Sequence, residues 1–382
     1  MDRVLIRFYD RANLGDDLLV YLLASRFANT FTVLLREPCK ALEDLDNVVV
    51  RRADSARRSV LSRLKRRLTG RGPRLHADLE RASRSNDVLV YIGGSIFIEH
   101  PGKLDTWKRE RDHYRALGIP YFIIDANFGP YLSDEYPEIV RDILSGADDV
   151  CFRDSYSRDV FADVPAVRSA IDVGFLTPVP TRSPAEHADV VISMIDTRER
   201  FDAAAADAYE AAMAGIAERT VRSGSRVCLM SFCSYQGDDQ AAERIRARLS
   251  PDVAAHVFRH DYVGDLEEAL AIIACSQTVI GARFHAVVLG LAFGKAVLPI
   301  AYSKKTVDTL TDIGYGGTIV DLNDSALGWD RVEDLAWTMP SSERERLSRA
   351  AAVQFQVLDE RLVRSQSDRA KAHVAGAERH DS

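Results

Sequence analysis

The stretch Val279-Ile280-Gly281-Ala282-Arg283-Phe284-His285-Ala286-Val287-Val288-Leu289-Gly290-Leu291-Ala292-Phe293-Gly294-Lys295-Ala296-Val297-Leu298-Pro299-Ile300 holds two apolar runs on either side of an apolar helical pattern. Val279-Ile280 and Ala296–Pro299 lack the in-and-out alternation of a half-buried strand, so each reads as a strand covered on both faces. A buried strand, a helix and a second buried strand make the βαβ unit of a parallel sheet.

The same grammar extends in both directions. Strand candidates upstream are Val4–Phe8, Phe31–Leu35, Asn47–Val50, Val88–Ile92, Tyr121–Ile124 and Val150–Phe152. In the second half they are Val190–Met194, Val227–Phe232, Ala254–Phe258, Val279-Ile280, Ala296–Pro299 and Thr318–Val320. Helical patterns such as Asp16–Phe27 and Trp107–Leu117 lie between them. The chain therefore reads as two doubly wound α/β domains with parallel sheets. Three prolines within Thr177–Pro184 sustain neither helix nor central strand, which marks a linker. The expected division is an N-terminal domain at 1–176, a linker at 177–187, a C-terminal domain at 188–340, a helix at 341–372 and a frayed tail at 373–382.

Composition sets the outer limits. Of 382 residues, 46% are hydrophobic and 28% charged, as in ordinary globular proteins, and the net charge of −7 speaks against general nucleic-acid binding. Cys39, Cys151, Cys228, Cys233 and Cys275 form no CxxC pair and read as reduced thiols. No apolar run approaches the roughly 20 residues of a membrane helix, and the start lacks a signal-peptide core. A cytoplasmic location is expected. One segment departs from the average: Arg51–Arg74 carries ten Lys or Arg against one acid, Asp54, with Val60, Leu61, Leu64 and Leu68 as an apolar stripe. It reads either as a solvated surface helix or as a helix docking peripherally on an anionic membrane face or an acidic polymer.

Ligands of open parallel sheets bind beyond the carboxyl ends of the strands, so the loops there are the places to search. Asn13 and Asp16 open the first helix, as caps or as hydrogen-bonding partners of an acceptor's hydroxyls. Gly93 and Gly94 let backbone approach a ligand after a buried strand, and His100 follows eight residues beyond that strand. Asp125-Ala126-Asn127-Phe128-Gly129-Pro130 and Arg153-Asp154-Ser155 follow two further strands. An arginine at the tip of a buried strand suits a carboxylate or phosphate, or a local ion pair. Arg283 and His285 stand at a helix N-terminus, where a cation is locally unfavourable and an anion is attracted. With Lys305 after the next strand, these groups form an expected anion site. His and acidic residues do not recur at metal-ligand spacing, so no metal is expected.

At this point the sequence resembles the polysaccharide pyruvyl transferase family. The matching elements, in order, are Asn13–Asp16, Gly93-Gly94, Gly129-Pro130, Arg153–Ser157, Asp172–Phe175, Ser231–Cys233 with Gly237-Asp238, Arg283-Phe284-His285 and Tyr302–Lys305. Ser95 stands where members commonly carry a third glycine. The resemblance implies two Rossmann-like domains facing a cleft, the GT-B arrangement. It also implies transfer of pyruvate from phosphoenolpyruvate, the only co-substrate and with no further cofactor, to two sugar hydroxyls, forming a ketal and releasing phosphate. Arg283, Lys305, Arg153 and Tyr302 would then bind the donor. His285 would be the acid, with His100 as a second acid/base or acceptor contact. Asn13, Asp16, Gly93, Gly94 and Asn127 would face a glycan or lipid-linked sugar acceptor. Two other functions fit the scaffold: a nucleotide-sugar glycosyltransferase and a non-catalytic envelope-assembly protein. No GxGxxG or GxxxxGK[ST] phosphate loop supports a dinucleotide or P-loop enzyme.

Overall fold

A computed structural model describes residues 1–52, 75–198, 200–324 and 329–363. Nearly all of the basic segment and everything after Val363 lie outside the described residues, and with them the expected surface helix and tail.

The first sheet contains β1 (Arg3–Arg7), β2 (Thr30–Leu35), β3 (Val48–Arg52), β4 (Val88–Ile92), β5 (Tyr121–Ala126), β6 (Asp149–Phe152) and β7 (Val167–Ser169), in the order β3-β2-β1-β4-β5-β6-β7. The second contains β8 (Val190–Ser193), β9 (Val227–Ser231), β10 (Val257–Asp261), β11 (Thr278–Gly281), β12 (Ala296–Ala301) and β13 (Val320–Asp321), in the order β10-β9-β8-β11-β12-β13. These strands pair in parallel, and β14 (Trp337-Thr338) adds one antiparallel rung on β12. Two parallel-sheet α/β units therefore make up the chain. Between them, residues 177–189 carry no helix or strand.

Continuous burial explains the central strands. Every residue of β5, β6 and β9 is buried, so no alternating pattern was available to them. Helix starts are set by acceptors in the preceding loops: Asp154 Oδ1 accepts from Ser157 N–H at 2.7 Å, and Asp202 Oδ1 from Ala205 N–H at 2.8 Å. Where the sequence suggests a strand from Ala254, Pro251–Ala254 instead forms a helical turn, and the strand begins at Val257. Pro251 favours that first turn because its missing N–H would be unpaired there anyway.

Three apolar clusters form the interior. One backs each sheet separately, the first with Leu89, Phe122's neighbour Ile123 and Phe152, the second with Ile192, Leu229 and Leu298. The third is shared: Val4, Ile6 and Leu18 of the first unit pack in one cluster with Val173, Val191, Val279 and Val288. Phe355, Leu358 and Leu362 join that shared cluster. The helix Ser341–Ala351 gives way to a tighter 3₁₀ turn at Ala352–Phe355 rather than running straight on. The turn sends fully buried Gln354 back into the first unit. Its side-chain amide donates to the carbonyls of Phe152 (3.2 Å) and Ala170 (3.3 Å), and its oxygen accepts from Asp125 N–H at 3.0 Å.

Gln354 thus fastens the C-terminal segment to the first sheet. Gln354→Ala takes their partner from the Asp125 N–H and the Ala170 carbonyl in the interior, while the Phe152 carbonyl keeps Ala170 N–H, and buried groups that lose partners cost about 1–3 kcal/mol each. The urea midpoint should fall well below that of the wild type, and an unchanged midpoint would show that the segment is held by its apolar residues alone.

Candidate functional site

Strand order decides where the site lies. In each sheet the order reverses beside the first strand of the unit, between β1 and β4 and between β8 and β11. Crevices open at such switch points. The loops there carry Asn13–Asp16 and Gly93-Gly94 on one side and Arg283–His285 on the other. The two crevices meet directly: a Cβ on Gly15 would fall 2.0 Å from His285 Nδ1, so only glycine admits the imidazole.

The N-terminal loops are tied down. Asn13 Oδ1 accepts from Gly15 N–H at 3.0 Å, which makes Asn13 the cap of the helix Leu14–Arg26. Burial pushes the Asp16 carboxyl up to about 7, with Asp17 adding and Arg153 and Arg283 opposing. Gly93 has φ +145 and lies against Asp16 Oδ1, while a Cβ on Gly94 would sit 2.2 Å from Arg153 Nη2. The paired glycines therefore make room for Asp16 and for a guanidinium. Asn127 N–H donates to Gly94 O at 2.8 Å, and its buried Oδ1 has no partner among the described residues.

Arg153 is 6% exposed. Its Nη1 donates to Asp172 Oδ2 at 2.9 Å and lies 3.8 Å from Asp125 Oδ2, and its guanidinium sits 4.4 Å over the Phe284 ring. Asp172 and Asp125 are fully buried. Asp125 has φ +61 and accepts from Val173 N–H at 2.9 Å. Burial, with Asp172 beside it, raises the Asp125 carboxyl well above the usual carboxylate range, against the pull of Arg153. His285 Nε2 stands 3.9 Å from Asp172 Oδ2, beyond hydrogen-bond reach. Burial lowers the imidazole to about 4; Asp172 works against that, and Arg153 and Arg283 reinforce it. Burial thus keeps the resting His285 imidazole neutral at pH 7. Asp125, Asp172 and His285 offer ligand atoms within 4.8 Å of one another. The Arg153 guanidinium already supplies the positive charge there, which suits the cluster to protons and hydrogen bonds better than to a cation.

Arg283, expected from the sequence in an anion site, is hydrogen-bonded to groups of the chain itself. Its Nε donates to Asp238 Oδ2 at 2.7 Å, Nη2 donates to Asp238 Oδ1 and Nη1 to Gln236 Oε1. Asp238 is fully buried and also accepts from the Phe232 and Cys233 N–H groups. Burial alone would lower the Arg283 pKa, but Asp238 overrides it and holds the guanidinium above its ordinary value. Lys305 crosses between the units: Nζ donates to Gly129 O at 3.0 Å and Ser95 Oγ at 3.4 Å. Burial pulls its ammonium down to about 7, with Arg153 adding and Asp154 opposing. Tyr302 is half-buried beneath Arg200, whose guanidinium is 4.9 Å from the ring centroid. His100 is exposed on the turn before the helix Leu104–Arg115, and among the described residues makes no hydrogen bond or ion pair with the groups around His285.

The structure thus brings together Gly15, Asp16, Gly93, Gly94, Arg153, Arg283 and His285, with Lys305 beside Arg153. Sequence reasoning assigned no role to Asp125, Asp172 or Asp238. Each had a signal: Asp125 interrupts an apolar strand, Asp238 directly follows Gly237, and Asp172 stands two residues before Gly174.

Residues 13–304 match the family described as polysaccharide pyruvyl transferase. The amylovoran biosynthesis protein AmsJ of Erwinia amylovora is 23% identical over 252 residues, 60% of either chain, so the match spans under two thirds of that relative's length. The UDP-GlcNAc 2-epimerase of Neisseria meningitidis, solved with UDP-GlcNAc, superposes at TM-score 0.52 with 10% identity, covering 94% of this chain and all 100% of the other. A glycosyltransferase from Rickettsia africae superposes at 0.51 with 9% identity, covering 94% and 96%. These likenesses show the GT-B-like fold.

Arg283→Ala strands the buried Asp238 charge, and breaking a buried pair from one side costs about 3–5 kcal/mol. Urea unfolding at pH 7 should show that loss for Arg283→Ala and for Asp238→Ala, with the double variant losing much less than the two combined. Additive losses would show the two side chains to be energetically independent.

Proposed function

The chain belongs to the polysaccharide pyruvyl transferase family, and on that premise we propose that it moves pyruvate from phosphoenolpyruvate to two hydroxyls of a sugar in a surface polysaccharide or its precursor, forming a ketal and releasing phosphate. One observation carries the reading. A neutral imidazole, a buried guanidinium and a lysine held near 7 converge where the switch points of the two sheets meet.

The chemistry asks for these three kinds of group. Phosphoenolpyruvate carries a phosphate and a carboxylate, so it needs cations with donors to spare. Arg153 and Lys305 fill that role, and Arg283, whose donors are committed to Asp238 and Gln236, contributes charge. The first hydroxyl adds at C2 while C3 of the methylene takes a proton. The second hydroxyl then attacks C2 as phosphate departs. Each attacking hydroxyl gives up a proton to neutral His285; of these two protons, one restores Lys305 after its delivery to the methylene carbon and the other leaves with the phosphate. Lys305, poised between charged and neutral near pH 7, is placed to deliver one to the methylene carbon, and a group titrating near the working pH does this best. Asn13 and Asp16 line the N-terminal side, where the acceptor sugar is held. The test is phosphate release from phosphoenolpyruvate in the presence of a panel of sugar acceptors. His285→Gln should lower turnover by about 10²–10⁴-fold with donor affinity retained. Absence of release with every acceptor, beside turnover of a nucleotide sugar, would replace this reading with a glycosyltransferase.

The depressed His285 pKa also predicts a stability signature. Unfolded, the imidazole takes a proton near its ordinary 6.5; folded, it resists until about 4. The unfolded state therefore binds more protons between these values, and His285 makes stability fall as pH drops from about 6.5 to about 4. The lost stability amounts to roughly 3 kcal/mol. Asp16 and Asp17, both pushed up to about 7, act in the opposite sense and are common to wild type and variant. Subtracting the denaturation curve of His285→Gln from that of the wild type should isolate the histidine limb. Parallel curves from pH 7 to 4 would mean that the imidazole is not held neutral.

A further inference from the structure

Beside Lys305, the loops after β5 and β6 expose apolar side chains that nothing in the proposed chemistry uses. Tyr131 is 41% exposed, Leu132 64% and Tyr156 42%. The two tyrosines are close enough to influence each other electrostatically, and Tyr156 also feels Asp154 and Asp308. Clustered exposed apolar groups of this kind mark interaction sites more often than chance decoration.

The shelf is built to be rigid. The Glu99 carboxylate is spent entirely on the loop that carries Tyr131 and Leu132. It accepts from Leu132 N–H at 2.6 Å, Ser133 N–H at 2.8 Å and Ser133 Oγ at 2.9 Å, and Glu99 N–H donates to Pro130 O at 3.0 Å. The Tyr131 ring leans on Phe128, 5.2 Å between centroids, and Phe128 N–H donates to Ser157 Oγ at 2.7 Å. That last bond locks the loop to the helix Ser155–Val160, which carries Tyr156. The bonds from this loop hold the Glu99 carboxyl below its ordinary range against burial, so the loop is anchored while the side chains of Tyr131 and Leu132 are left facing solvent.

The position identifies the occupant. Lys305 Nζ donates to Gly129 O, two residues before Tyr131, and also reaches Ser95 Oγ. The shelf is therefore continuous with the site through the backbone that the lysine grips. Its surroundings mix tyrosine rings, a hydroxyl at Ser95 and the Asp308 carboxylate. Rings that are apolar on the face and polar at the tip, rimmed by hydrogen-bonding groups, match the apolar faces and equatorial hydroxyls of pyranose rings. Resting on the reading that the chain acts on a glycan, we propose that Tyr131, Leu132 and Tyr156 hold the non-reacting sugar units of the acceptor, so that the protein prefers an oligosaccharide to a single sugar.

The test is binding to an array of immobilised bacterial oligosaccharides and the matching monosaccharides, without donor, using the full chain. Wild type should bind at least one oligosaccharide. Tyr131→Ala and Tyr156→Ala should each weaken that binding at least tenfold while leaving phosphoenolpyruvate affinity and the melting temperature unchanged. Equal binding by the variants, or no oligosaccharide bound by wild type, overturns the proposal. So does a result in which the variants lose only adhesion to anionic phospholipid vesicles, or only self-association in sedimentation. Array binding is independent of turnover, so failure of the ketal reaction with glycan binding intact would strike the reaction assignment and leave the shelf standing.

Discussion

A guanidinium taken out of water must find carboxylates, and Arg153 is the place where that requirement organises the protein. Its partners Asp172 and Asp125 are fully buried, so each of the three would be prohibitive alone. Meeting the requirement ties together the ends of β5 and β6, the turn Val173–Leu176 that leaves the first unit, and, through Gln354, the C-terminal segment. Gly94 has no side chain because the guanidinium lies where one would be. Phe284 covers the guanidinium from the second unit. His285 stays neutral partly because Arg153 and Arg283 both repel a proton there.

The two units are joined by more than a strand of chain. They share an apolar cluster, and polar bonds span its border: Leu14 N–H donates to Phe232 O at 3.0 Å, Tyr262 Oη to Asp17 at 2.8 Å, and Ser155 to Asp312 through both N–H and hydroxyl. A GT-B-like architecture suggests a wide cleft, but in this structure the switch-point loops are in contact. The Gly15–His285 approach is the tightest expression of that closeness. Any opening that admits a sugar therefore exposes apolar surface, and the interactions lost must be matched by those made to the ligand.

Most of the fold was legible because it rests on local pattern. Apolar β-branched runs and intervening helices gave the strands of both sheets to within a few residues, and loop position after each strand pointed to Asp16, Gly93, Gly94, Arg153, Arg283 and His285, which the structure gathers, and also to His100, which it does not. The exceptions share a cause. β7 and β14, of three and two residues, are too short for any periodicity. The break at Ala352–Phe355 is dictated by where Gln354 must reach, 229 positions away in sequence. The pairing of Arg283 with Asp238 spans 45 positions and that of Arg153 with Asp172 spans 19, so the sequence showed the cations and left their counter-ions unassigned.

That missing information changes how the site's charges are understood. The helix Phe284–Ala292 has no acid in its first turn, yet cations gather at its N-terminus, which taken alone points to an external anion. The structure shows that the chain supplies anions of its own, Asp238 to Arg283 and Asp172 to Arg153. In a site so balanced, an incoming anion gains only the difference between its own contacts and those it displaces. Lys305 is the exception, since its direct partners among the described residues are a carbonyl and a hydroxyl, and burial, with Arg153 adding and Asp154 opposing, lowers its pKa. An anion reaching Lys305 adds attraction without breaking an ion pair there. On the reading proposed above, the net electrostatic gain of donor binding would therefore be concentrated at the lysine that bridges the two units, with the arginines shaping and polarising the site around it.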